Sequence, residues 1–172
     1  MRSSSRTRLL ALTGVLCAFV CAATLVIQIP SPTHGYINLG DAMVLLSAML
    51  LGPWYGAAAA GIGSALADLI SGYAIYIPAT LLLKALAAAV QGLLFRLRPK
   101  STQAVVLSGF TAEVPIILGY WLYEALLLHS LKAAALGIPG NLVQAVAGIA
   151  VSAVILTLLR KIPAVRKALW DD

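Results

Sequence analysis

The sequence predicts an all-α integral membrane protein in which residues 1–172 form one domain of six transmembrane helices. Of its 172 residues, 61% are hydrophobic and only 10% are charged, and the mean hydropathy is +0.96. This leaves too little polar surface to cover a globule in water. A helical span takes about 20 residues, so with short loops the chain has room for about six. The 14 glycines and the low aromatic content of 7% favour packed helices over a lipid-facing barrel.

The placement of the basic residues predicts the orientation. They form three clusters: Arg2, Arg6 and Arg8; Arg96, Arg98 and Lys100; and Arg160, Lys161, Arg166 and Lys167. If the spans alternate, all three clusters lie on the same side, which the positive-inside rule identifies as the cytoplasm. Both termini are therefore expected in the cytoplasm, in a multi-pass membrane protein. The net charge of +6 then reflects topology, and we expect no nucleic-acid partner.

The first three spans follow from apolar runs and their breaks. Residues 9–29 form an uncharged run, which we expect to remain as a span and not to be cleaved as a signal peptide. The Pro- and Gly-rich segment 30–41 is expected as an outer loop, ending at Asp41, which is either the N-cap of the second helix or a ligand contact. Gly52-Pro53 divides the uncharged run 42–67 into two spans joined by an inner turn, and the third span ends near Ile70.

The last three spans are delimited in the same way. Pro78 is expected to open the fourth span, which ends near Phe95 before a basic inner loop. The fifth runs over about residues 103–128, an outer loop follows, and the sixth covers residues 141–159.

Two spans carry small residues at four-residue spacing, which places them on one helix face where backbones can approach closely. In the first span these residues are Gly14, Ala18 and Ala22. In the third span they are Gly56, Ala60, Ser64 and Asp68. Each stripe either packs within this chain or docks a partner, and the first span is the better placed for a partner.

Polar side chains inside the spans predict a binding site, because a charge at membrane depth costs at least about 2.5–3.5 kcal/mol and is functional by default. The expected pocket opens outward and holds a small heterocycle. Its candidate residues are His34, Tyr36, Asn38, Asp68, Tyr73, Tyr76, Thr80, Tyr120, Glu124, Asn141 and Gln144, with Lys84 and Glu113 deeper at the floor. Simpler explanations stay open: Asp68 ends its helix, Lys84 and Glu113 form a structural ion pair, and the tyrosines belong to an interfacial belt. No residues have metal-ligand spacing or the companions of a nucleophile, so we expect neither a metal nor an enzyme.

Motifs along the chain resemble those of the substrate-binding S components of energy-coupling factor (ECF) vitamin transporters. These are NLGD, LADLxSGY, PATxxxK, GYxxYE and NxxQ, at residues 38–41, 66–73, 78–84, 119–124 and 141–144. The resemblance covers nearly the whole chain. It is closest to S components for hydroxymethylpyrimidine, pyridoxine and riboflavin-like vitamins.

The resemblance implies six helices, an outer vitamin pocket roofed by the first loop, and high-affinity binding of a small B vitamin or its precursor. It also implies a transmembrane coupling protein and two cytoplasmic ATPases as partners, so that ATP is used by those subunits and this chain holds no cofactor. An AxxxA docking motif of the family is matched by Ala18 and Ala22. Two alternatives stay open: a proton-coupled carrier of a small polar molecule, suggested by the buried charges, and a membrane scaffold without a ligand, suggested by the small-residue stripes.

Overall fold

The computed structural model describes residues 2–97 and 101–163 and is mostly helical. The elements are α1 (Arg2–Val26), β1 (Gln28–Pro30), β2 (Tyr36–Asn38), α2 (Gly40–Leu51), α3 (Pro53–Ile70), α4 (Ile77–Phe95), α5 (Thr102–Leu127), α6 (Leu131–Ala134) and α7 (Ile138–Arg160). Short 3-10 turns at Ala74–Tyr76 and Ala135–Gly137 lead into α4 and α7. The all-α prediction is confirmed apart from two three-residue strands.

Four helical segments are long and apolar enough to cross a membrane: Arg6–Val26, Ala74–Phe95, Gln103–Leu127 and Leu131–Arg160. Helix α2 has only 12 residues. At 1.5 Å per residue it measures about 18 Å, short of the roughly 30 Å hydrocarbon core. Helix α3, with 18 residues, is longer but is not among the four. For α2 and α3, and for the orientation of the termini, the six-span topology stays a prediction.

Helix α2 lies at the centre of the bundle and packs against α1, α3, α4 and α7. Nearly all its residues are buried, from Gly40 to Leu51, as expected for a helix that is apolar all round. Leu45, Leu46 and Met49 join residues of α4, α5 and α7 in the larger hydrophobic core. Its position explains how a short helix can be stable in this fold, because its apolar sides face other helices and not lipid.

The turn between α2 and α3 follows the predicted break. Helix α2 ends at Leu51, and Gly52 has φ of +80°, a left-handed conformation that favours glycine. Pro53 begins α3, where its missing N–H has no helical partner to lose. Gly92 of α4 touches this turn so closely that an added Cβ would lie 2.7 Å from Pro53 Cα. The glycines therefore bring α2, α3 and α4 into backbone contact.

The loop between α1 and α2, which was predicted to be an outer loop, differs from its prediction because it contains a β-hairpin. Helix α1 ends at Val26, three residues before the expected end of the span, and β1 pairs antiparallel with β2 through Gln28↔Asn38, Ile29↔Ile37 and Pro30↔Tyr36. The β-branched Ile29 precedes a proline, and both features disfavour helix and favour an extended backbone. The chain reverses at His34, which has φ of +66°.

The loop between α5 and α7, also predicted to be an outer loop, contains short helical segments. Ser130 caps the short helix α6, its hydroxyl accepting a hydrogen bond from Ala133 N, 3.2 Å away. Helix α7 then begins at Ile138, with Pro139 in its first turn, three residues earlier than predicted. The chain therefore passes from α5 to α7 through short helical segments and not through irregular backbone.

Large apolar side chains cover the outside of the bundle, including Leu82, Leu126 and Val143, each at least 66% exposed. A belt of this kind suits contact with lipid and not with water. Of the predicted basic clusters, Arg98 and Lys100 in the inner loop, and Arg166 and Lys167 near the C-terminus, lie outside the described residues.

Candidate functional site

A cavity lies beneath the β-hairpin, between the hairpin and helices α1, α3, α4, α5 and α7. The volume of the cavity is only about 30 Å³, so the cavity is narrow. The lining residues are Thr24, Ser31, Gly35, Tyr36, Ile37, Asn38, Ser64, Asp68, Tyr76, Thr80, Lys84, Tyr120, Glu124, Asn141 and Gln144.

Most of the residues predicted for the site come together here. Ten of the thirteen line the cavity, from six different elements. Of the other three, Tyr73 packs against Tyr36, and His34 lies exposed at the hairpin reversal. Glu113 is buried, 1% exposed, but does not line the cavity. Their role in binding a ligand stays a prediction.

Four tyrosines form a connected aromatic wall. The ring of Tyr36 on β2 lies 4.6 Å from that of Tyr73, and Tyr73 is 6.4 Å from Tyr76. Tyr76 in turn is 6.3 Å from Tyr120 on α5. These centroid distances fall in the range of favourable aromatic contacts. Three of these rings line the cavity, so a flat ring in the cavity has aromatic surface to pack against.

Two carboxylates face the same cavity, one from α3 and one from α5. Tyr36 donates a 2.5 Å hydrogen bond to Asp68 Oδ1, and Thr33 donates a 2.8 Å bond to Glu124 Oε1. The second oxygens, Asp68 Oδ2 and Glu124 Oε2, are buried and accept no hydrogen bond from the described residues. Buried acceptors without donors are costly, and a ligand with donor groups removes that cost.

The Tyr36 side chain lies in the hairpin, and the pKa of its phenol is raised above the ordinary value for tyrosine. Burial raises the pKa of its phenol, and the hydrogen bond to the Asp68 carboxylate raises it further. The phenol therefore stays protonated and remains a hydrogen-bond donor to Asp68 at every pH at which the protein is studied.

Asp41 is the centre of a second polar cluster, and the expectation that it caps α2 is wrong. The N-cap position is Leu39, which has no side-chain cap. Asp41 is fully buried and binds Lys84 of α4 through Oδ1 and Gln144 of α7 through Oδ2, the latter at 2.6 Å. A buried ammonium left without its carboxylate costs about 3–5 kcal/mol, whereas an N-cap hydrogen bond contributes about 1 kcal/mol. Pairing with Lys84 is therefore the more important role for the Asp41 side chain.

The alternative in which Lys84 pairs with Glu113 is also wrong, because the partner of Lys84 is Asp41. The Lys84 ammonium also lies 5.6 Å from the centroid of the Tyr120 ring, within cation–π range. Both Glu113 oxygens are buried and have no hydrogen-bond partner among the described residues, and the same is true of the amide of Gln91.

The polar cluster is linked to the hairpin that covers the cavity. Gln144 donates to Asp41, while its Oε1 accepts a 2.7 Å hydrogen bond from the backbone N–H of Asn38 at the end of β2. Asn38 in turn accepts a 2.8 Å bond from Gly40 N through its side chain. A continuous series of polar contacts therefore joins the roof of the cavity to Lys84 near its floor.

Several contributing residues were not predicted. The lining residues missed are Thr24, Ser31, Gly35, Ile37 and Ser64. Ser64 lies four residues before Asp68 on α3, and that spacing was the one available signal for it. Gly35 and Gly137 flank the Glu124 carboxylate: a Cβ at Gly137 would lie 2.6 Å from Glu124 Oε2. No local pattern in the sequence distinguishes these glycines from the other twelve.

The two small-residue stripes have different environments. On α3, Gly56, Ala60, Ser64 and Asp68 are all buried within the chain. Gly56 packs on the backbone of α2, where an added Cβ would lie 2.5 Å from Ala48 Cα. On α1, Gly14, Ala18 and Ala22 are all exposed, while Cys17 and Val20 on another side of the helix pack against Gly63 of α3. The α3 stripe thus packs internally, and the α1 stripe forms an open surface.

Comparison with known proteins gives a family for this architecture. A family model described as "ECF-type riboflavin transporter, S component" matches residues 4–161. A protein of Pyrococcus woesei, described as an uncharacterized protein in the gap 3' region, is 34% identical over 143 residues, which is 83% of this chain and 95% of that protein. The family match includes every residue that lines the cavity.

Proposed function

We propose that this chain, which belongs to the family of ECF-type riboflavin transporter S components, is the high-affinity vitamin-binding subunit of an ATP-driven importer in a prokaryotic plasma membrane. The family consists of substrate-binding transporter subunits and not of enzymes. The observation that carries the proposal for this chain is the narrow polar and aromatic cavity under the hairpin. In it, two carboxylates each present an oxygen that accepts no hydrogen bond from the described part of the chain.

The cavity supports a small, flat, hydroxylated heterocycle as the ligand. The tyrosine rings provide stacking surface, and Asp68, Glu124 and Ser64 provide buried acceptors without donors of their own. Any vitamin needs this narrow cavity to widen, and a single ring such as hydroxymethylpyrimidine or pyridoxine needs the least widening. Riboflavin ranks second, because a three-ring flavin requires a larger rearrangement of the hairpin and the tyrosines.

Energy for import would come from partner subunits. A transmembrane coupling protein and two cytoplasmic ATPases would hydrolyse ATP and drive toppling of this subunit, which would carry the bound vitamin to the cytoplasmic side. The exposed stripe Gly14, Ala18 and Ala22 on α1 is the proposed contact with the coupling protein, because small residues let a partner helix approach closely within the membrane.

Ligand identification tests the binding function directly. The protein is purified in mild detergent from cells grown in rich medium, denatured, and the released small molecules are identified by mass spectrometry. We expect a pyrimidine or pyridine vitamin in near-stoichiometric amount. A flavin as the sole ligand would contradict the preference for one ring, and the complete absence of a ligand, together with no binding of any added vitamin, would contradict the function.

Reconstitution tests the transport role. In proteoliposomes, uptake of the identified vitamin should require the coupling protein, both ATPases and ATP. Uptake by this chain alone in response to a proton gradient would instead support a secondary carrier. A chain that binds no vitamin and supports no uptake would behave as the scaffold alternative predicts.

A further inference from the structure

The charged groups around the cavity do not balance. The charged side chains that line it are Asp68, Lys84 and Glu124. Lys84 is the one cation among these described lining residues, and its ammonium is bound by the fully buried Asp41 carboxylate. Lys84 therefore already has a counter-ion on α2. Its charge still acts on Asp68 at longer range, but neither Asp68 nor Glu124 forms an ion pair with any of the described residues.

The partners that these two carboxylates do have are neutral. Asp68 is held by the Tyr36 phenol, and the Thr80 hydroxyl is its second partner. Glu124 is held by the Thr33 hydroxyl, with the Tyr76 phenol 3.5 Å away. Hydroxyl donors orient and stabilise a carboxylate, but they do not neutralise its charge. Each carboxylate is at most 4% exposed and keeps one buried oxygen free of hydrogen bonds from the described residues. Two oriented and uncompensated acceptors thus face the same small space.

From this arrangement we propose that the ligand carries a basic nitrogen, a protonated amine or an amino-substituted ring, which pairs with the carboxylates of Glu124 and Asp68. This rests on the proposed function and specifies its substrate class. A cation or amidine-like donor supplies both the hydrogen bond and the charge that the site lacks. A neutral polyhydroxylated ligand supplies only hydrogen bonds. An anionic ligand would be repelled by the two carboxylates, and Lys84, the cation that lines the cavity, is already paired with Asp41.

Matched pairs of ligands test the proposal with the intact protein. Pyridoxamine carries an ammonium where pyridoxine carries a hydroxyl, and 4-amino-5-hydroxymethyl-2-methylpyrimidine can be compared with its 4-oxo analogue; riboflavin completes the panel. Binding to the purified chain in detergent is measured by titration calorimetry and by thermal stabilisation. In at least one pair we expect the amino compound to bind about 10- to 100-fold more tightly, the range for a charged hydrogen bond.

Neutral isosteres identify the groups responsible. In Glu124→Gln and Asp68→Asn, the ratio between the two affinities should fall towards one, because the amino compound loses more binding than the neutral compound does. Equal or tighter binding of the neutral member in both pairs, or an advantage that survives in both variants, would overturn the proposal. If a variant fails to fold, the comparison of ligands on the unmodified chain still decides.

The panel also separates this proposal from the function on which it rests. Tight binding of riboflavin or of a neutral vitamin, with none of the amino compounds, would overturn the basic-nitrogen proposal and leave vitamin binding intact. If no member of the panel binds and no vitamin co-purifies, both are overturned.

Discussion

At the scale of single residues, Asp41 connects several segments that are distant in the sequence. Its two oxygens bind Lys84 and Gln144, which lie 43 and 103 residues further along the chain, and Gln144 also holds the backbone of the hairpin. Its Cβ lies against Gly148, where an added Cβ would be 2.9 Å away. One buried carboxylate therefore fixes the relative positions of α2, α4, α7 and the roof of the cavity.

Loss of the Asp41 charge should be strongly destabilising. In Asp41→Asn the Lys84 ammonium stays buried without its counter-charge, and breaking a buried pair from one side costs about 3–5 kcal/mol. We expect a loss of this size in the free energy of unfolding, measured by chemical unfolding in detergent. The double variant Asp41→Asn, Lys84→Met removes the stranded charge and should recover most of the loss. A double variant no more stable than Asp41→Asn would show that the ion pair is not the cause.

At the scale of the helices, glycine sets the distances between α2, α3 and α4. Gly56 contacts the backbone of Ala48. Gly61 faces α4, where a Cβ added at this position would lie 2.7 Å from the carbonyl oxygen of Leu81. In an apolar solvent, helix association depends on such close packing, because burial of apolar side chains brings no gain over lipid. The buried stripe of α3 is therefore a stability feature of this bundle.

A pair of glycine-to-alanine changes tests this role. Alanine is the better helix former by about 1 kcal/mol, so Gly14→Ala, where nothing lies within 4 Å of the added Cβ, should leave stability unchanged or raise it. Gly56→Ala forces α2 and α3 apart and should lower the free energy of unfolding by about 1–3 kcal/mol. Equal effects of the two changes, measured by unfolding in detergent, would contradict close packing at Gly56.

The exposed stripe of α1 leads to a different expectation. Ala18→Trp places a bulky ring on a surface that the structure leaves open. It should therefore spare vitamin binding and abolish most ATP-dependent uptake, because it keeps the coupling protein at a distance. Ala150→Trp, the same change at an exposed position of α7, is the matched control and should spare both. Loss of vitamin binding in Ala18→Trp would mean that the stripe supports the cavity instead.

The sequence predicts the helix ends that are set by the residues at those ends themselves. The break at Gly52-Pro53, the opening of α4 near Pro78 and its end at Phe95 were all predicted, since glycine and proline act through their own backbone. The hairpin was not predicted, because its strands have three residues each and depend on pairing across the loop. The partner of Asp41 was missed for the same reason: a contact between distant segments leaves no local spacing to recognise.

At the scale of the whole molecule, family membership was predicted and is confirmed by the match over residues 4–161. Composition alone predicted a membrane protein, and four helices meet the length and hydropathy of a span. The number of crossings is harder to predict, since the centrally buried α2 is as apolar as a lipid-facing span. Apolarity reports burial away from water, and it does not distinguish lipid from protein as the neighbour.

Site-directed labelling tests the topology. In a chain whose Cys17 and Cys21 are replaced by alanine, a single cysteine is introduced at exposed His34 in the hairpin or at exposed Leu97 after α4. A membrane-impermeant maleimide should label the His34→Cys protein in intact cells, and the Leu97→Cys protein only after permeabilisation. The reverse pattern would place the cavity on the cytoplasmic side and contradict uptake from outside.

The narrowness of the cavity determines how binding proceeds in time. The cavity volume is only about 30 Å³, so we expect a vitamin to enter only when the hairpin moves away from α7 and the hydrogen bond from Asn38 N to Gln144 is broken. The association rate should then level off at high vitamin concentration, at the rate of hairpin opening, and should stay below the diffusion-controlled limit. Release should require the same step, so the strength of one hairpin contact should contribute to the residence time of the vitamin as well as the cavity itself.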